Sequence, residues 1–272
     1  MLNEDTQRRL GIYVPRVSRM ITGRKLKALC WYMHIPKSGG SSIHEALRAV
    51  IPLNQRASVI SAVPMRRVAG VVYANTDDTM TVHEDGPRCA ELFKLREYHQ
   101  MTYMAQEDAL IYGHCLYSKT AHKYFGAPYK YLTMLRDPIS RVVSNYRSAT
   151  FEKFYTGDFD EYLDSDVARR HALLNLRYFS GIAEIERGQE DAAMEKAKTN
   201  QDTFSVIGFL DNIEQFKTQF HEVFGTHLKI PHFNSAKGNK VDLTSGQRTK
   251  LDKLCEYDLE LHERAKQKFL NI

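Results

Sequence analysis

The chain is short of the residues that would staple it covalently or carry it through a bilayer. Among 272 residues there are four cysteines, Cys30, Cys89, Cys115 and Cys255, and no two of them form a CxxC pair. That spacing argues against a zinc site and against a disulfide framework. Four reduced thiols are expected, with Cys30 inside a buried strand. No apolar run approaches the roughly 20 residues of a membrane span. The opening segment, "MLNEDTQRRLGIYVPRVSRMITGRK", is charged throughout and has no signal-peptide core. The expected location is the cytoplasm, or else the chain is a soluble piece cut from something anchored. No Gly-Lys-Ser/Thr string occurs, so the GxxxxGK(S/T) loop of nucleoside-triphosphate enzymes is missing. No cluster of His, Cys or carboxylates has metal-ligand spacing, and no metal is expected. Repeats, low-complexity tracts and clear linkers are absent as well.

What is present is an ordinary globular balance, 43% hydrophobic and 26% charged. The length suits one large domain, or at most two, with a sizeable core. A formal net charge of +5 favours acidic ligands without indicating nucleic acid. Residues 1–27 read as a basic arm, solvated and partly helical or touching a polyanion or a second subunit. They carry Arg8, Arg9, Arg16, Arg19 and Arg24. Residues 28–272 read as a single α/β domain. "ALCWYMHI" is almost continuously apolar, as a central parallel strand buried on both faces should be. The following helix places Ile43, Ala46, Leu47 and Val50 on one face, with Ser42 and Glu45 at capping-box spacing or with a start a few residues earlier. Residues 51–108 read as an insertion, in which "VAGVVYA" and "MTVHE" flank a turn-rich "NTDD" as a hairpin or lid. "ALIYGH" and "YKYLTMLRDP" read as further strands, and Asp137-Pro138 as a helix start. Helices are expected near 159–164, 168–180 and 189–199, then a last strand "FSVIGF" and three more helical stretches. Strands alternating with helices predict a mainly parallel, P-loop-like sheet flanked by helices.

Two strand–loop–helix units carry anion chemistry. In "PKSGGSS", Gly39 and Gly40 let backbone approach a ligand. The free amides of the helix start favour negative charge there. Lys37 adds a full charge, and Ser38, Ser41 and Ser42 add hydroxyls. In "RDPISRVVSNY", Arg136 can fork onto a phosphate and Ser144 can add a hydroxyl. Ser140, Arg141, Ser144 and Ser148 are expected on the face opposite Ile139, Val142, Val143 and Tyr146. Ligands of open parallel sheets sit at the carboxyl ends of the strands. Two anion sites on that edge predict a ligand with phosphate groups at both ends.

Together these motifs resemble the sulfotransferase family, in its carbohydrate branch, from Ala28 to the C-terminus with residues 51–108 unmatched. "PKSGGSS" resembles the family's 5′-phosphosulfate loop and "RDPISRVVSNY" its 3′-phosphate motif. The resemblance implies 3′-phosphoadenosine 5′-phosphosulfate (PAPS) as donor and adenosine 3′,5′-bisphosphate as product. It implies donor contacts from Lys37, Ser38, Gly39, Gly40, Ser41, Ser42, Arg136 and Ser144. "HFNSAKGNK" is similar to the loop that closes over the nucleotide, which implies Ser235, Lys237 and Gly238 as further contacts. "YGHCLYS" resembles the strand end of uronate 2-O-sulfotransferases, where a Gly-His supplies the base. That implies His114 as general base, working near its ordinary pKa, with Tyr112 where those enzymes carry another His. Lys37 would help catalysis by neutralising the departing phosphate. The expected acceptor is a hydroxyl, that of a sugar or glycan. Other candidate bases are His34, His83, Glu84, Asp85 and His99, with His34 expected beneath the loop. Two other functions compete, a nucleotide-dependent kinase and a non-catalytic polyanion-binding module using the arm, Arg66, Arg67 and Lys237.

Overall fold

The computed structural model describes residues 3–230 and 243–270. Helix α1 (Glu4–Thr22) precedes β1 (Leu29–Met33) and α2 (Gly40–Ala49). Next come β2 (Ala57–Ile60), α3 (Ala62–Ala74), α4 (Cys89–Ala105), β3 (Leu110–Gly113) and α5 (Lys119–Phe125). After β4 (Tyr129–Leu135) and α6 (Pro138–Phe151) the chain is helical: α7 (Phe159–Leu163), α8 (Asp166–Ala172), α9 (Leu174–Ser180) and α10 (Glu190–Gln201). It closes with β5 (Phe204–Phe209), α11 (Ile213–Phe224), α12 (Ser245–Leu254) and α13 (Glu256–Phe269).

The five strands form one parallel sheet in the order β2-β3-β1-β4-β5, with β1 in the middle. The fold is therefore α/β with helices on both faces. The two-residue period of a strand divides β1 between two cores. Trp31 and Met33 join Leu92, Phe93, Phe179 and Leu261 on one face. Cys30 and Tyr32 join Ile43, Leu47, Phe216 and Phe220 on the other. Each fully buried side chain of this size stabilises the fold by roughly 1.5–3 kcal/mol. A third cluster, with Ile139, Val142, Tyr162, Leu251 and Cys255, holds α6 to α7, α8 and α12. All four cysteines are free and buried. Among the described residues no helix is long and apolar enough to cross a membrane.

Four local expectations change. Residues 51–108 contain no hairpin: "VAGVVYA" lies in α3, and β2 just before it is an edge strand of the main sheet. The valines carry strand propensity, but Met65, Ala69 and Gly70 form a buried helical face, and packing overrides propensity. The arm is a helix whose Arg8 pairs with Glu45 of α2 and whose Arg16 Nε donates to the Ile51 carbonyl at 3.1 Å. Glu45 is thereby taken from the expected capping box, and α2 starts earlier, with Gly39 as its cap. Arg141 is fully buried against Asp258 at 2.6 Å, not on the open face of α6. The expected helix 168–180 is two helices, α8 and α9, with Leu173 at the join.

Candidate active site

β1 passes the chain toward the β2 edge and β4 passes it toward the β5 edge. The crevice at their carboxyl ends is thus a topological switch point, where open sheets bind ligands. Both motif loops open there. Asp137 caps α6, its Oδ1 accepting the Ser140 amide at 2.8 Å, and Pro138 sits in the first turn. Arg136, one residue upstream, reaches across and donates from Nη1 to the Lys37 carbonyl at 3.2 Å.

The first loop is shaped by backbone need. Lys37 and Gly39 both adopt left-handed conformations, φ 62° and 79°. For a lysine this costs on the order of 1–3 kcal/mol and persists only where its surroundings impose it. Left-handed residues are also what backbone anion cradles are built from. At Gly40 an added Cβ would lie 1.6 Å from His34 Nε2, so only glycine fits. No side chain caps α2, and its first turn holds no acid. The positive end of the helix dipole faces the loop. Ser38 is buried, with an Oγ that has no hydrogen-bond partner.

These groups border a cleft of about 850 Å³, within the range of ordinary ligand pockets. Lys37, Gly39, Gly40, Ser42, Arg136, Ser144 and His114 all line it. Ser41 is in the first turn of α2, with its side chain outside what is described. Ser235, Lys237 and Gly238 lie outside the described residues. Neither Lys37 nor Arg136 has a carboxylate at ion-pair distance among the described residues. Burial lowers the Lys37 pKa, with Glu152 opposing and Arg136 adding to the effect. Burial lowers that of Arg136 too, opposed by Asp137 and reinforced by Arg141 and Arg147. Two half-buried cations thus stand close together, with Glu152 and Asp137 near them but no carboxylate at ion-pair distance among the described residues.

His114 follows β3, on the other side of β1. Its ring lies 4.3 Å from that of His34, which occupies the space beneath Gly40. The His114 Nδ1 is enclosed without a partner. Arg96 donates to the His114 carbonyl at 3.0 Å. Burial, then Arg96, pushes the His114 pKa down to about 4. The expectation of an ordinary imidazole pKa is therefore corrected: the surroundings favour the neutral ring at neutral pH, with one nitrogen able to accept a proton. Burial also holds His34 well below its usual value, with His114 and His44 adding to the effect. His99 packs near Tyr103 on α4 and does not line the cleft.

Residues His83, Glu84 and Asp85, which the sequence could not position, form the opposite wall of the same cleft. Glu84 binds Arg66 at 2.6 Å and also pairs with Arg96. Burial pushes its carboxyl up, but Arg96 and Arg66 pull harder, leaving it at about 2. Asp85 meets His171 Nε2 at 3.1 Å and Arg177 at 3.4 Å. Burial opposes its charge, yet His171 and Arg177 hold it far below the carboxylate range. Both acids are therefore poor bases. His83 Nδ1 accepts the Asp85 amide at 3.2 Å, so the proton of the neutral ring sits on Nε2. That leaves the adjacent rings of His114 and His34 as the candidate bases in the cleft, with His34 Nε2 set beneath Gly40 and His114 at the end of β3.

No protein-family model matches this chain, and no curated protein matches it.

Three cleft residues escaped the sequence reading. Asn145, next to Ser144, lines the cleft with an Nδ2 that is buried and unpartnered. Its place in the "SNY" of the second motif was the available signal. Phe154 stacks on His83, ring centres 4.4 Å apart. Glu152 stands at the rim, accepting the Ser148 hydroxyl at 3.0 Å. Nothing local in the sequence marks either of these. No group of three or more His, Cys, Asp or Glu side chains gathers to hold a metal among the described residues.

Proposed function

We propose that the protein is a sulfotransferase that moves a sulfuryl group from PAPS to a hydroxyl of a sugar or glycan. The observation that carries this reading is the pair of half-buried cations, Lys37 and Arg136, at the switch point of the sheet, with a neutral His114 on the same cleft. The resemblance of both loops to the family's donor motifs supports it independently.

The residues fit a donor with phosphates at both ends. Gly39, Gly40 and the start of α2 would hold the 5′ group, with Lys37 and Ser42; Ser38, expected there too, is buried and does not line the cleft. Arg136 and Ser144 would hold the 3′-phosphate, and the open amide of Asn145 adds a donor nearby. Leu210 and Ile213, at the same cleft, offer apolar cover for a flat base. The donor supplies an activated sulfuryl group. In the transfer, the acceptor oxygen forms a bond to sulfur as the bond from sulfur to the phosphate oxygen breaks. The hydroxyl proton goes to His114, and Lys37 offsets the charge left on the phosphate.

The competing readings have less support. The kinase loop is missing from the sequence. A polyanion module would need free cations, yet Arg66 and Arg67 already pair with Glu84 and Asp77, Arg8 pairs with Glu45, and Arg16 is buried. Thermal shift in parallel with adenosine 3′,5′-bisphosphate, AMP, ATP–Mg²⁺ and heparin tests the choice. The bisphosphate should stabilise the fold by about 2.7 kcal/mol at a hundredfold excess over its Kd. Stabilisation by ATP–Mg²⁺ or by heparin alone overturns the reading.

A further inference from the structure

The acceptor end of the cleft has a charge pattern unlike that of the donor end. Three guanidiniums approach it, and each is already engaged. Arg66 and Arg96 are taken by Glu84, and Arg177 by Asp85 and by the Glu84 carbonyl at 2.7 Å. The acid that has no cation at ion-pair distance is Glu152, at the rim. Once the donor's phosphates occupy Lys37 and Arg136, an incoming carboxylate would find no further unpaired cation lining the cleft among the described residues and would face one unpaired acid. Burying it there would leave its charge uncompensated. The groups that remain suit hydroxyls. The Glu152 carboxylate can accept from them, and the Nε2 proton of His83 makes no hydrogen bond, its nearest acceptor being Glu84 Oε2 at 3.6 Å. The His83–Phe154 stack adds a flat, weakly polar surface beside these groups, of the kind a sugar ring covers.

We infer that the acceptor is an uncharged polyol or neutral sugar, held by Glu152, His83 and Phe154, and that uronate-bearing chains are disfavoured. This rests on the sulfotransferase reading and narrows it, since the strand-end resemblance alone points to uronate acceptors. Selectivity comes here from an unpaired acid and from cations withheld, a repulsive device and not an added contact.

The test uses one glucuronate-containing oligosaccharide and its carboxyl-reduced form, in which each carboxylate is replaced by a neutral hydroxymethyl group; the site of labelling is mapped so that transfer to the new hydroxyl is counted apart. Binding of each to the full chain is followed by saturation-transfer NMR with adenosine 3′,5′-bisphosphate present, and transfer is followed with labelled PAPS. The reduced chain should bind and accept label at least tenfold better than its parent. Glu152→Lys should narrow or reverse that ratio when both proteins are compared at saturating bisphosphate or PAPS, since Glu152 lies within electrostatic reach of Lys37. Equal use of the two chains, preference for the parent, binding of neither, or an unchanged ratio in Glu152→Lys overturns the inference. In each of those cases, retained bisphosphate binding leaves the transferase reading standing. Loss of bisphosphate binding itself overturns both.

Discussion

The two ends of the cleft handle positive charge in opposite ways. At the donor end, Lys37 and Arg136 sit half-buried and close together with no carboxylate at ion-pair distance among the described residues. At the other end, Arg66, Arg96 and Arg177 are locked onto Glu84 and Asp85. An unpaired, partly desolvated cation stores unfavourable energy until an anion arrives. A paired one holds the wall together. The first arrangement serves binding and the second serves shape, so mutations at the two ends should fail in different ways.

The largest expected effect is catalytic. His114→Ala should lower turnover by roughly 10²–10⁴-fold while leaving adenosine 3′,5′-bisphosphate affinity nearly intact. Single-turnover kinetics beside calorimetry check this, and an active His114→Ala enzyme would remove its role as base. Next is the wall. Glu84→Gln strands Arg66 and Arg96 without a full countercharge and should destabilise the fold by roughly 3–5 kcal/mol, as breaking a buried pair does. Chemical denaturation of the ligand-free protein measures it. At the donor end, Arg136→Ala should weaken bisphosphate binding by roughly 1.5–3 kcal/mol, the scale of a charged hydrogen bond, and leave AMP binding unchanged. The same variant without ligand should be as heat-stable as the parent or slightly more so. If Arg136→Ala melted the fold as Glu84→Gln does, the contrast between the ends would be lost.

The smallest effect is in the pH dependence, and the signs follow from the direction of each shift. His114 is lowered from 6.5 to about 4, so between these values the unfolded chain binds the proton more readily. Stability should be level above pH 6.5 and fall as pH drops toward 4. His114→Gln should flatten that slope. Glu84 is lowered from 4.5 to about 2, so its contribution is complete above pH 4.5 and is lost as pH falls toward 2. Activity should carry no inflection near pH 6.5, because the base is already neutral there. A bell with an acid limb at 6.5 in kcat/KM would contradict the lowered pKa of His114.

Short-range features were legible in the sequence. The apolar run of β1, the two glycines after Lys37, and the Asp-Pro start of α6 each follow from a few neighbouring residues. Their convergence followed from the parallel sheet, which brings strand ends to one edge. The wall of paired charges was not legible, because its partners are distant in sequence. Arg177 is 92 residues from Asp85, and Arg141 lies 117 residues before the Asp258 that buries it. The same limit explains the error at Arg141, which helical periodicity alone assigns to the polar face. In α3, strand propensity and helical packing disagreed, and only the neighbouring α4 decides between them. The depressed pKa of His114 likewise comes from burial and from Arg96 on another element.

The cysteines have a use that does not depend on the chemistry of the cleft. Cys30 belongs to one face of the sheet, Cys89 and Cys115 to the other, and Cys255 to the cluster that holds α6 and α12. Burial pushes all four thiols up, Cys89 to about 11 and Cys115 and Cys255 to about 12, so the closed protein should react slowly with alkylating reagents. Labelling then waits on local opening. Each hydrophobic cluster carries its own timer, and the order in which the four positions take up label would map where this molecule loosens first.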